Sequence, residues 1–310
     1  MQQAELPLFR DFSAWMRQQF PYKVQKISLH AGFTCPNRDG RVGLGGCTYC
    51  NNQTFNPAYC QESRSITQQL EEGRAFFSHK YPEMKYLAYF QAYTNTYDTI
   101  EMLDARYQEA LAVDDVVGVV IGTRPDCVDE RLLDYFADLH KSHYVLLEYG
   151  IESCYDKTLE LINRGHTFAQ SAWAVQQTAQ RGIPVGGHMI LGLPGESHDE
   201  ILNEASILSD LPLDTIKLHQ LQLIKGTKMA RQQELNPDFV HLYDVDEYID
   251  LVIDFIARLR PDLVVERFVS QSPADLLIAP KWGLKNYAFV DKVKKRMRER
   301  AITQGCLYHP

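Results

Sequence analysis

The chain of 310 residues lacks several features that define common protein classes. No apolar run approaches the roughly 18 residues that cross a bilayer, and no charged-then-apolar signal segment opens the sequence. We therefore expect a soluble, cytoplasmic protein with no membrane partner. The sequence contains no HExxH motif and no P-loop, and its glycine-rich segment lacks the strand-turn-helix context of a dinucleotide fingerprint. These absences argue against a zinc protease, a P-loop nucleotide hydrolase and a dinucleotide-binding dehydrogenase.

An excess of positive charge is also missing. The formal net charge is −8 and the isoelectric point is near 5.7, which argues against a broad nucleic-acid surface. The chain is 45% hydrophobic and 23% charged, so it can bury one large core. A single α/β barrel commonly uses this length of chain.

Cysteine is present in an odd number, seven, which does not suit a disulfide scaffold. Cys35, Cys47 and Cys50 lie in one glycine-rich loop, CPNRDGRVGLGGCTYCNN, whose glycines would let the chain double back because glycine tolerates positive φ. Three thiolates could hold a cluster of four irons and four sulfides and leave one iron open. The alternative is a structural zinc site with His30 or Cys60 as its fourth ligand.

Short apolar runs alternate with helical periodicity along the chain, which is the pattern of a parallel sheet wrapped by helices. The sequence predicts strands over residues 24–30, 86–92, 116–122, 144–151, 185–192 and 215–223. Units of about thirty residues suit right-handed crossovers between parallel strands. The predicted fold class is therefore α/β, a partial (β/α)6 TIM-like barrel of parallel strands with a C-terminal α/β extension.

Three parts of the chain follow from this pattern: an N-terminal helix at 1–22, the core barrel at 23–230 and the extension at 231–310. The extension should contain an amphipathic helix over 244–260, a short strand over 264–268 and a helix over 284–300, which could cover the open side of the barrel. The last helix carries the basic residues Lys292, Lys294, Lys295, Arg296, Arg298 and Arg300. A solvated helix face is the simpler interpretation, and RNA contact is the alternative.

Polar residues follow the predicted strands, where parallel α/β barrels gather their functional groups. Arg124 could pair with a carboxylate through two hydrogen bonds, or serve as a structural ion-pair partner. Alternation along a strand gives Glu148 and Glu152 the same facing, so spacing does not choose between them. His188, His219 and Gln220 could also face the cavity, although a lone histidine is more often a hydrogen-bonded core residue.

Four separated segments carry a family resemblance: CTYC at 47–50, TRPD at 123–126, GHMILGLPGE at 187–196 and HQLQ at 219–222. Together they resemble the radical S-adenosylmethionine (SAM) superfamily, in the branch of the catalytic subunit of Elongator and the YhcC/YtqA proteins. The resemblance extends from residue 23 to residue 281. Eleven residues separate the first two cysteines, a long insertion that this branch shares, and Ala92-Tyr93-Thr94 replaces the usual second-strand Gly-Gly-Glu.

The resemblance implies a [4Fe-4S] cluster on Cys35, Cys47 and Cys50, with SAM bound through its amine and carboxylate to the open iron. Reductive cleavage of SAM would then release a 5′-deoxyadenosyl radical, while the protein orients the cofactor and excludes water. The candidate cofactor-binding residues are Tyr49, Gln91, Tyr93, Arg124, Glu148, Glu152, Gly192, Leu193 and Pro194.

The same resemblance implies an electron donor, a reductase such as flavodoxin or ferredoxin. The substrate is not identified by the sequence. A small metabolite or a protein is favoured by the acidic charge, and a transfer RNA is the alternative suggested by the Elongator-like segments. A function of a different class, a non-catalytic zinc-stabilised barrel that acts as a binding module, also remains open.

Overall fold

The computed structural model of the protein describes residues 7–55, 57, 59–78 and 83–309. The first six residues of the predicted N-terminal helix lie outside these residues, as do residues 56, 58 and 79–82 of the predicted barrel and residue 310 of the predicted extension. Within the described part, every helix is too short or too polar to cross a membrane.

Within the described residues, nine strands form one large sheet and one small one. The strands are β1 Val24–Leu29, β2 Lys85–Phe90, β3 Val116–Thr123, β4 Tyr144–Glu152, β5 Val185–Leu191, β6 Thr215–Gln220, β7 Leu223–Ile224, β8 Val264–Arg267 and β9 Leu277–Ala279. Seven of them form a parallel sheet in the order β1-β2-β3-β4-β5-β6-β8, and β7 pairs with β9 in an antiparallel ribbon.

The helices surround the large sheet. They are α1 Phe12–Gln19, α2 Ile66–Ser78, α3 Ile100–Leu111, α4 Glu130–His140, α5 Asp156–Leu161, α6 Phe168–Gln180, α7 His198–Ser209, α8 Lys228–Leu235, α9 Val245–Arg258 and α10 Asn286–Glu299. Short 3-10 turns cover Asn52–Phe55 and Pro125–Cys127.

The sheet curls until its first and last strands approach each other. β1 and β8 stand at opposite ends of the strand order, yet Lys26 Nζ on β1 lies 2.8 Å from Glu266 Oε1 on β8. Asp11, just before α1, forms a parallel bridge with Val265 and so covers the free side of β8. The predicted partial TIM-like barrel is confirmed as a half-barrel of parallel strands with helices around it.

Two features depart from the predicted strand set. The segment 215–223 divides into β6 and β7, because Leu223 and Ile224 pair with β9 instead of continuing the barrel strand. The short strand predicted over 264–268 becomes β8 and joins the barrel sheet next to β6, which gives a seventh parallel strand.

Helix starts are set by local hydrogen bonds. Thr167, Ser197 and Asp244 each form a capping box, in which the cap side chain and a residue three positions later satisfy free amides of the first turn. The strands β3 and β4 lie in the middle of the sheet and are buried along almost their whole length. Coverage on both faces explains why their sequences are apolar without alternation.

The basic residues of α10 are partly engaged within the protein. Arg296 Nη1 donates to Asp250 Oδ2 at 2.7 Å, and Arg300 Nη2 donates to Asp254 Oδ1 at 2.5 Å, so both arginines attach α10 to α9. Lys294 lies over the ring of Phe9, 5.5 Å from its centroid. These contacts give part of the cluster a structural role, and contact with RNA stays a prediction.

Candidate functional site

The C-terminal ends of the barrel strands meet around a cavity with about 900 Å³ of empty space, part of it open to solvent. The cysteine loop forms one wall and the inner face of the sheet forms the other. Of the residues predicted from the sequence, the cavity is lined by Cys35, Cys47, Tyr49, Cys50, Gln91, Tyr93, Arg124, Glu148 and Glu152. Gly192, Leu193 and Pro194 stand outside the described residues that line it.

The cysteine loop is a compact turn stabilised by its own backbone. The Arg38 amide donates to the Cys35 carbonyl at 2.8 Å, and the Gly46 amide donates to the Asn37 carbonyl at 2.8 Å. Gly46 has a φ of 77°, a conformation that strongly favours glycine. At Gly43 the reason for glycine is space, since an added Cβ would lie 2.1 Å from Asn37 Oδ1.

The loop is also attached to the helices around the barrel. The Thr48 amide donates to the Ile162 carbonyl at 2.9 Å, and the Thr48 carbonyl accepts from the Met229 amide at 2.9 Å. Asn163 Nδ2 donates to the Gly46 carbonyl at 2.8 Å. These bonds connect the loop to the end of α5 and the start of α8, so the thiols are held on a rigid support.

Side-chain N–H groups lie close to the sulfurs of Cys47 and Cys50. Arg164 Nη1 and Asn37 Nδ2 each approach Cys47 Sγ at 3.6 Å, and Asn52 Nδ2 approaches Cys50 Sγ at 3.7 Å. Burial and the neighbouring Cys47 raise the pKa of Cys50 to about 11, against the lowering effect of nearby arginines. Hydrogen bonds from these donors would stabilise negative charge on the two sulfurs.

The donor set fits an iron-sulfur cluster. Fe–S clusters are held by cysteine thiolates and tuned by hydrogen bonds to their sulfurs, and both components are present. Arg164 is almost fully buried, and its Nε atom has no hydrogen-bond partner within the described residues. Over the same residues, no group of three or more His, Cys, Asp or Glu side chains is placed to hold a metal ion.

Arg124 is already paired. Its Nε and Nη2 atoms donate to the two carboxylate oxygens of Asp126 at 2.9 and 2.8 Å. Arg124 is 2% exposed, and its Nη1 atom is buried without a partner in the described part of the chain. The two-point contact through Nε and Nη2 is therefore occupied by Asp126, and the Nη1 amino group remains available.

The structure separates the two glutamates that spacing left equivalent. Glu148 is 1% exposed and lies 2.6 Å from Lys217 Nζ and 2.7 Å from Lys26 Nζ. Burial alone would raise the pKa of Glu148, but these two ammonium groups and the His188 bond hold it well below its usual range. Glu152 ends β4 with a φ of 71° and lies 3.6 Å from Arg164 Nη2, on the side of the cysteine loop.

The aromatic and amide candidates take their positions from neighbouring elements. Tyr49 packs against an apolar cluster that includes Ile190 and Leu193, so Leu193 supports the cavity wall from behind. Tyr93 adopts a φ of 66°, and its amide donates to Asn52 Oδ1 at 3.1 Å. Gln91 Oε1 accepts from Ser28 Oγ at 3.1 Å.

The turn after β5 has its own contacts. An added Cβ at Gly192 would lie 3.0 Å from the Tyr243 ring, so glycine allows this turn to pack under the chain that leads into α9. Of the three candidates near the ends of β5 and β6, His188 and His219 line the cavity. Gln220 instead exchanges two hydrogen bonds with the backbone of Ser270, at 2.9 and 2.8 Å.

Two carboxyls, the half-buried Glu196 and the buried Glu204, hold the turn after β5. Ser153 Oγ donates to Glu196 Oε1 at 2.5 Å, and the Cys154 amide donates to Glu204 Oε1 at 2.7 Å. Burial raises the pKa of Glu196 to about 7, and burial followed by the charge of Glu196 raises the pKa of Glu204 well above its usual value. The raised pKa values favour the protonated form of the pair, whose contacts connect the end of β4 to α7.

We expect Glu204→Gln to stabilise the protein at pH 8 and to change little at pH 5. A carboxyl whose pKa is raised on folding contributes stability below its unfolded pKa, and this is lost as the pH rises towards the folded pKa, which for Glu204 lies well above the usual value. The glutamine side chain cannot ionise, and its oxygen can still accept from the backbone amide of Cys154. The free energy of unfolding at pH 8 should therefore rise by about 1 kcal/mol or more.

Urea denaturation at the two pH values measures this effect. Glu160→Gln is the matched control, because Glu160 is exposed. An equal change in the free energy of unfolding at pH 5 and pH 8 would show that Glu196 and Glu204 do not share a proton.

Arg164 and Asn37 were missed by sequence reasoning. Arg164 follows the short helix α5, far along the chain from the cysteine loop, and no spacing rule connects the two. The only available signal was the sequence Arg164-Gly165-His166 after an amphipathic helix, which by itself specifies no ligand.

Comparison with protein families gives two matches. Residues 35–206 match the family described as the radical SAM superfamily, and residues 213–299 match the radical SAM C-terminal domain. The chain is 36% identical to the uncharacterized protein YtqA of Bacillus subtilis over 94% of this chain and 89% of that protein. It is 35% identical to the protein YhcC of Escherichia coli over 96% of this chain and 95% of that protein.

Comparison with solved structures finds the same architecture. The archaeal Elp3 of Methanocaldococcus infernus, with an N-terminal deletion, matches with a TM-score of 0.66 and 17% identity. The match covers 91% of this chain and 64% of that chain. At this level of identity the likeness concerns the fold alone.

Proposed function

The chain belongs to the radical SAM superfamily, in the group that contains YtqA and YhcC, and on this premise we propose that Cys35, Cys47 and Cys50 hold its cluster. Enzymes of this superfamily use a [4Fe-4S] cluster and SAM. The observation that carries the proposal is the convergence of the three cysteines on one cavity wall, with Arg164 donating to the Cys47 sulfur at 3.6 Å.

The chemistry supplied by the bound group is reductive cleavage of SAM to a 5′-deoxyadenosyl radical, with the electron coming from a reductase such as flavodoxin or ferredoxin. The protein's part is to orient SAM and to exclude water. Glu152 would accept from the amine or the ribose hydroxyls of SAM, and the free Nη1 of Arg124 would donate to its carboxylate. Tyr49 would form an apolar wall beside the adenine, supported by Leu193.

Anaerobic purification tests this proposal. The protein is reconstituted with iron and sulfide, supplied with SAM and dithionite, and assayed for 5′-deoxyadenosine by mass spectrometry. We expect a brown protein with acid-labile sulfide that releases 5′-deoxyadenosine. A colourless protein that retains stoichiometric zinc and leaves SAM intact would instead support the zinc-stabilised binding module.

The final substrate is proposed to be a small metabolite or a protein, and a transfer RNA is the alternative. Two of the basic residues of α10 pair with α9, which reduces the charge available for a nucleic acid at that helix. Turnover against cellular small molecules, proteins and total RNA, compared by mass change with and without the enzyme, distinguishes these classes.

We expect Arg164→Gln to lower the reduction potential of the reconstituted cluster. Reduction adds negative charge, which a guanidinium donating to a cysteine sulfur stabilises through its hydrogen bond and its charge. The expected shift is about 60 mV or more, equivalent to a tenfold change in a one-electron equilibrium. A redox titration followed by electron paramagnetic resonance measures it.

Two variants accompany this measurement. Arg164→Lys keeps the positive charge and should give a smaller shift, while Arg181→Gln removes an arginine that pairs with Asp134 on the outer surface and should give none. An unchanged potential in Arg164→Gln would remove Arg164 from the environment of the cluster.

A further inference from the structure

Two histidines on neighbouring strands form a stacked pair in the cavity wall. His188 lies on β5 and His219 on β6, and their ring centroids are 5.7 Å apart with planes inclined by 24°. The parallel register sets His188 opposite Lys217 and Ile190 opposite His219. Both imidazoles line the cavity and are only partly buried, with 18% of the His188 side chain exposed.

The tautomer of His188 follows from its partner. Its Nε2 atom lies 3.0 Å from Glu148 Oε2, and Glu148 is kept ionised by Lys217 and Lys26 at 2.6 and 2.7 Å. An ionised carboxylate only accepts hydrogen bonds, so Nε2 of His188 carries the hydrogen and donates it. Burial lowers the pKa of His188, so the ring is neutral and its Nδ1 atom is an acceptor.

The tautomer of His219 is the opposite one. Arg267 Nη2 lies 3.3 Å from His219 Nε2, and a guanidinium only donates, so Nε2 of His219 accepts. Burial and the positive charge of Arg267 lower the pKa of His219 well below its usual value, which keeps this ring neutral. Its hydrogen is therefore on Nδ1, which is a donor.

The hydrogen bonds of the two rings to other described residues are those of their Nε2 atoms, and both rings line the cavity. The stack thus presents one acceptor, on His188, beside one donor, on His219. The contact with Glu148 sets the acceptor on His188, and the contact with Arg267 sets the donor on His219.

We propose that this histidine pair is the recognition edge for a substrate that carries an N–H group next to a carbonyl oxygen: an amide, a lactam or an imide. The N–H group would donate to His188 Nδ1, and the carbonyl would accept from His219 Nδ1. A carboxylate only accepts and an ammonium only donates, so either group would leave one histidine nitrogen unpaired, at a cost in affinity. The assignment of a substrate rests on the proposed function, whereas the binding edge itself needs no radical chemistry.

Side-chain geometry allows the two ends of each ring to be tested separately. A glutamine amide reaches the position of Nε2, and an asparagine amide reaches the position of Nδ1. His188→Gln and His219→Gln therefore keep the contacts with Glu148 and Arg267 and remove the groups that face the cavity. The corresponding asparagine variants keep a polar group at the cavity and remove the supporting contact.

The experiment uses the reconstituted full-length protein with SAM bound and ¹⁵N-labelled histidine. Long-range ¹H–¹⁵N spectra report the tautomers, and the glutamine variants assign the two rings. We expect the hydrogen on Nε2 of His188 and on Nδ1 of His219. The probes are 2-piperidone, which has an N–H beside its carbonyl, and N-methyl-2-piperidone, which has the carbonyl alone.

The lactam should shift the signals of both rings and bind roughly fivefold to tenfold more tightly than its N-methyl analogue, the effect of one hydrogen bond. His188→Gln should remove this preference, His219→Gln should weaken both probes, and His143→Gln, outside the cavity lining, should change neither affinity. Reversed tautomers, equal affinity for the two probes, or signals that do not move would each overturn the proposal. The separate 5′-deoxyadenosine assay reports whether the radical function has failed instead.

Discussion

Cys47→Ala is expected to abolish both the iron-sulfur cluster and the cleavage of SAM. Cys47 is 7% exposed, and its sulfur accepts from Arg164 and Asn37, so it is the most enclosed of the three proposed ligands. Two remaining thiolates would leave two irons without protein ligands. Loss of a group that only supports a metal ligand typically costs 10-fold to 100-fold in affinity or activity, so loss of the ligand should cost at least about 100-fold in 5′-deoxyadenosine formation.

The measurements are iron and acid-labile sulfide per chain, the visible spectrum and the yield of 5′-deoxyadenosine. Cys306→Ser is the matched control, because Cys306 is an exposed free thiol outside the cavity lining, and this variant should keep the cluster. Circular dichroism of both variants checks that the fold is intact. A brown, active Cys47→Ala protein would contradict the assignment of Cys47 as a ligand.

Lys217→Met is expected to destabilise the protein by about 3 kcal/mol, because it removes one partner of a buried ion pair and leaves the other charge behind. The Lys217 and Glu148 side chains are 3% and 1% exposed, with 2.6 Å between Nζ and Oε2. Lys217 Nζ also donates to the Tyr89 hydroxyl at 3.0 Å. Lys26 and His188 still contact Glu148 in this variant and partly offset its buried negative charge. The expected loss of stability is therefore at the lower end of the range for such pairs.

Urea denaturation of the purified variants gives the free energy of unfolding. The control, Lys141→Met, breaks the Lys141–Asp138 pair, whose side chains are 77% and 74% exposed, and should change stability by less than about 0.5 kcal/mol. The double variant Lys217→Met with Glu148→Gln should be less destabilised than the sum of its single changes, because the uncompensated carboxylate is then absent. Equal losses of unfolding free energy in Lys217→Met and Lys141→Met would mean that the buried pair contributes no more to stability than the exposed pair.

The pH dependence of the same variant has a fixed sign. The pKa of Glu148 is lowered on folding, so its contribution is present above its unfolded pKa and is lost as the pH falls through the folded value. The penalty of Lys217→Met should therefore be complete at pH 7 and should shrink in acid, where Glu148 becomes protonated. A penalty that grows towards low pH would contradict this role for Glu148.

The predicted elements agree closely with the structure wherever the signal is local. The strand predicted over 116–122 is β3, Val116–Thr123, and the helix predicted over 244–260 is α9, Val245–Arg258. Continuous apolar runs, amphipathic periodicity and capping residues act within a few turns of the chain, so they can be read from the sequence. The seventh barrel strand was placed outside the barrel because its partner, β6, is distant in sequence.

The structure brings most of the predicted site residues to one cavity, and their roles stay predictions. Nine of the twelve predicted residues line the cavity, because the ends of parallel strands gather at one edge of the sheet. The individual partners were not predictable in the same way. Arg124 pairs with Asp126, and Glu148 pairs with Lys217, which is 69 residues away along the chain.

The sequence by itself determined the cysteine loop, the order of strands and helices and the family. Each of these depends on residues that are close together in the chain, or on short segments whose sequences resemble those of the family. Only the tertiary structure decided which glutamate faces the cysteines, that Arg164 reaches Cys47, and that His188 and His219 stack in the cavity wall. Those facts depend on the curl of the sheet and on the register between strands. Side chains from different elements meet there, and no spacing along the chain encodes their contact.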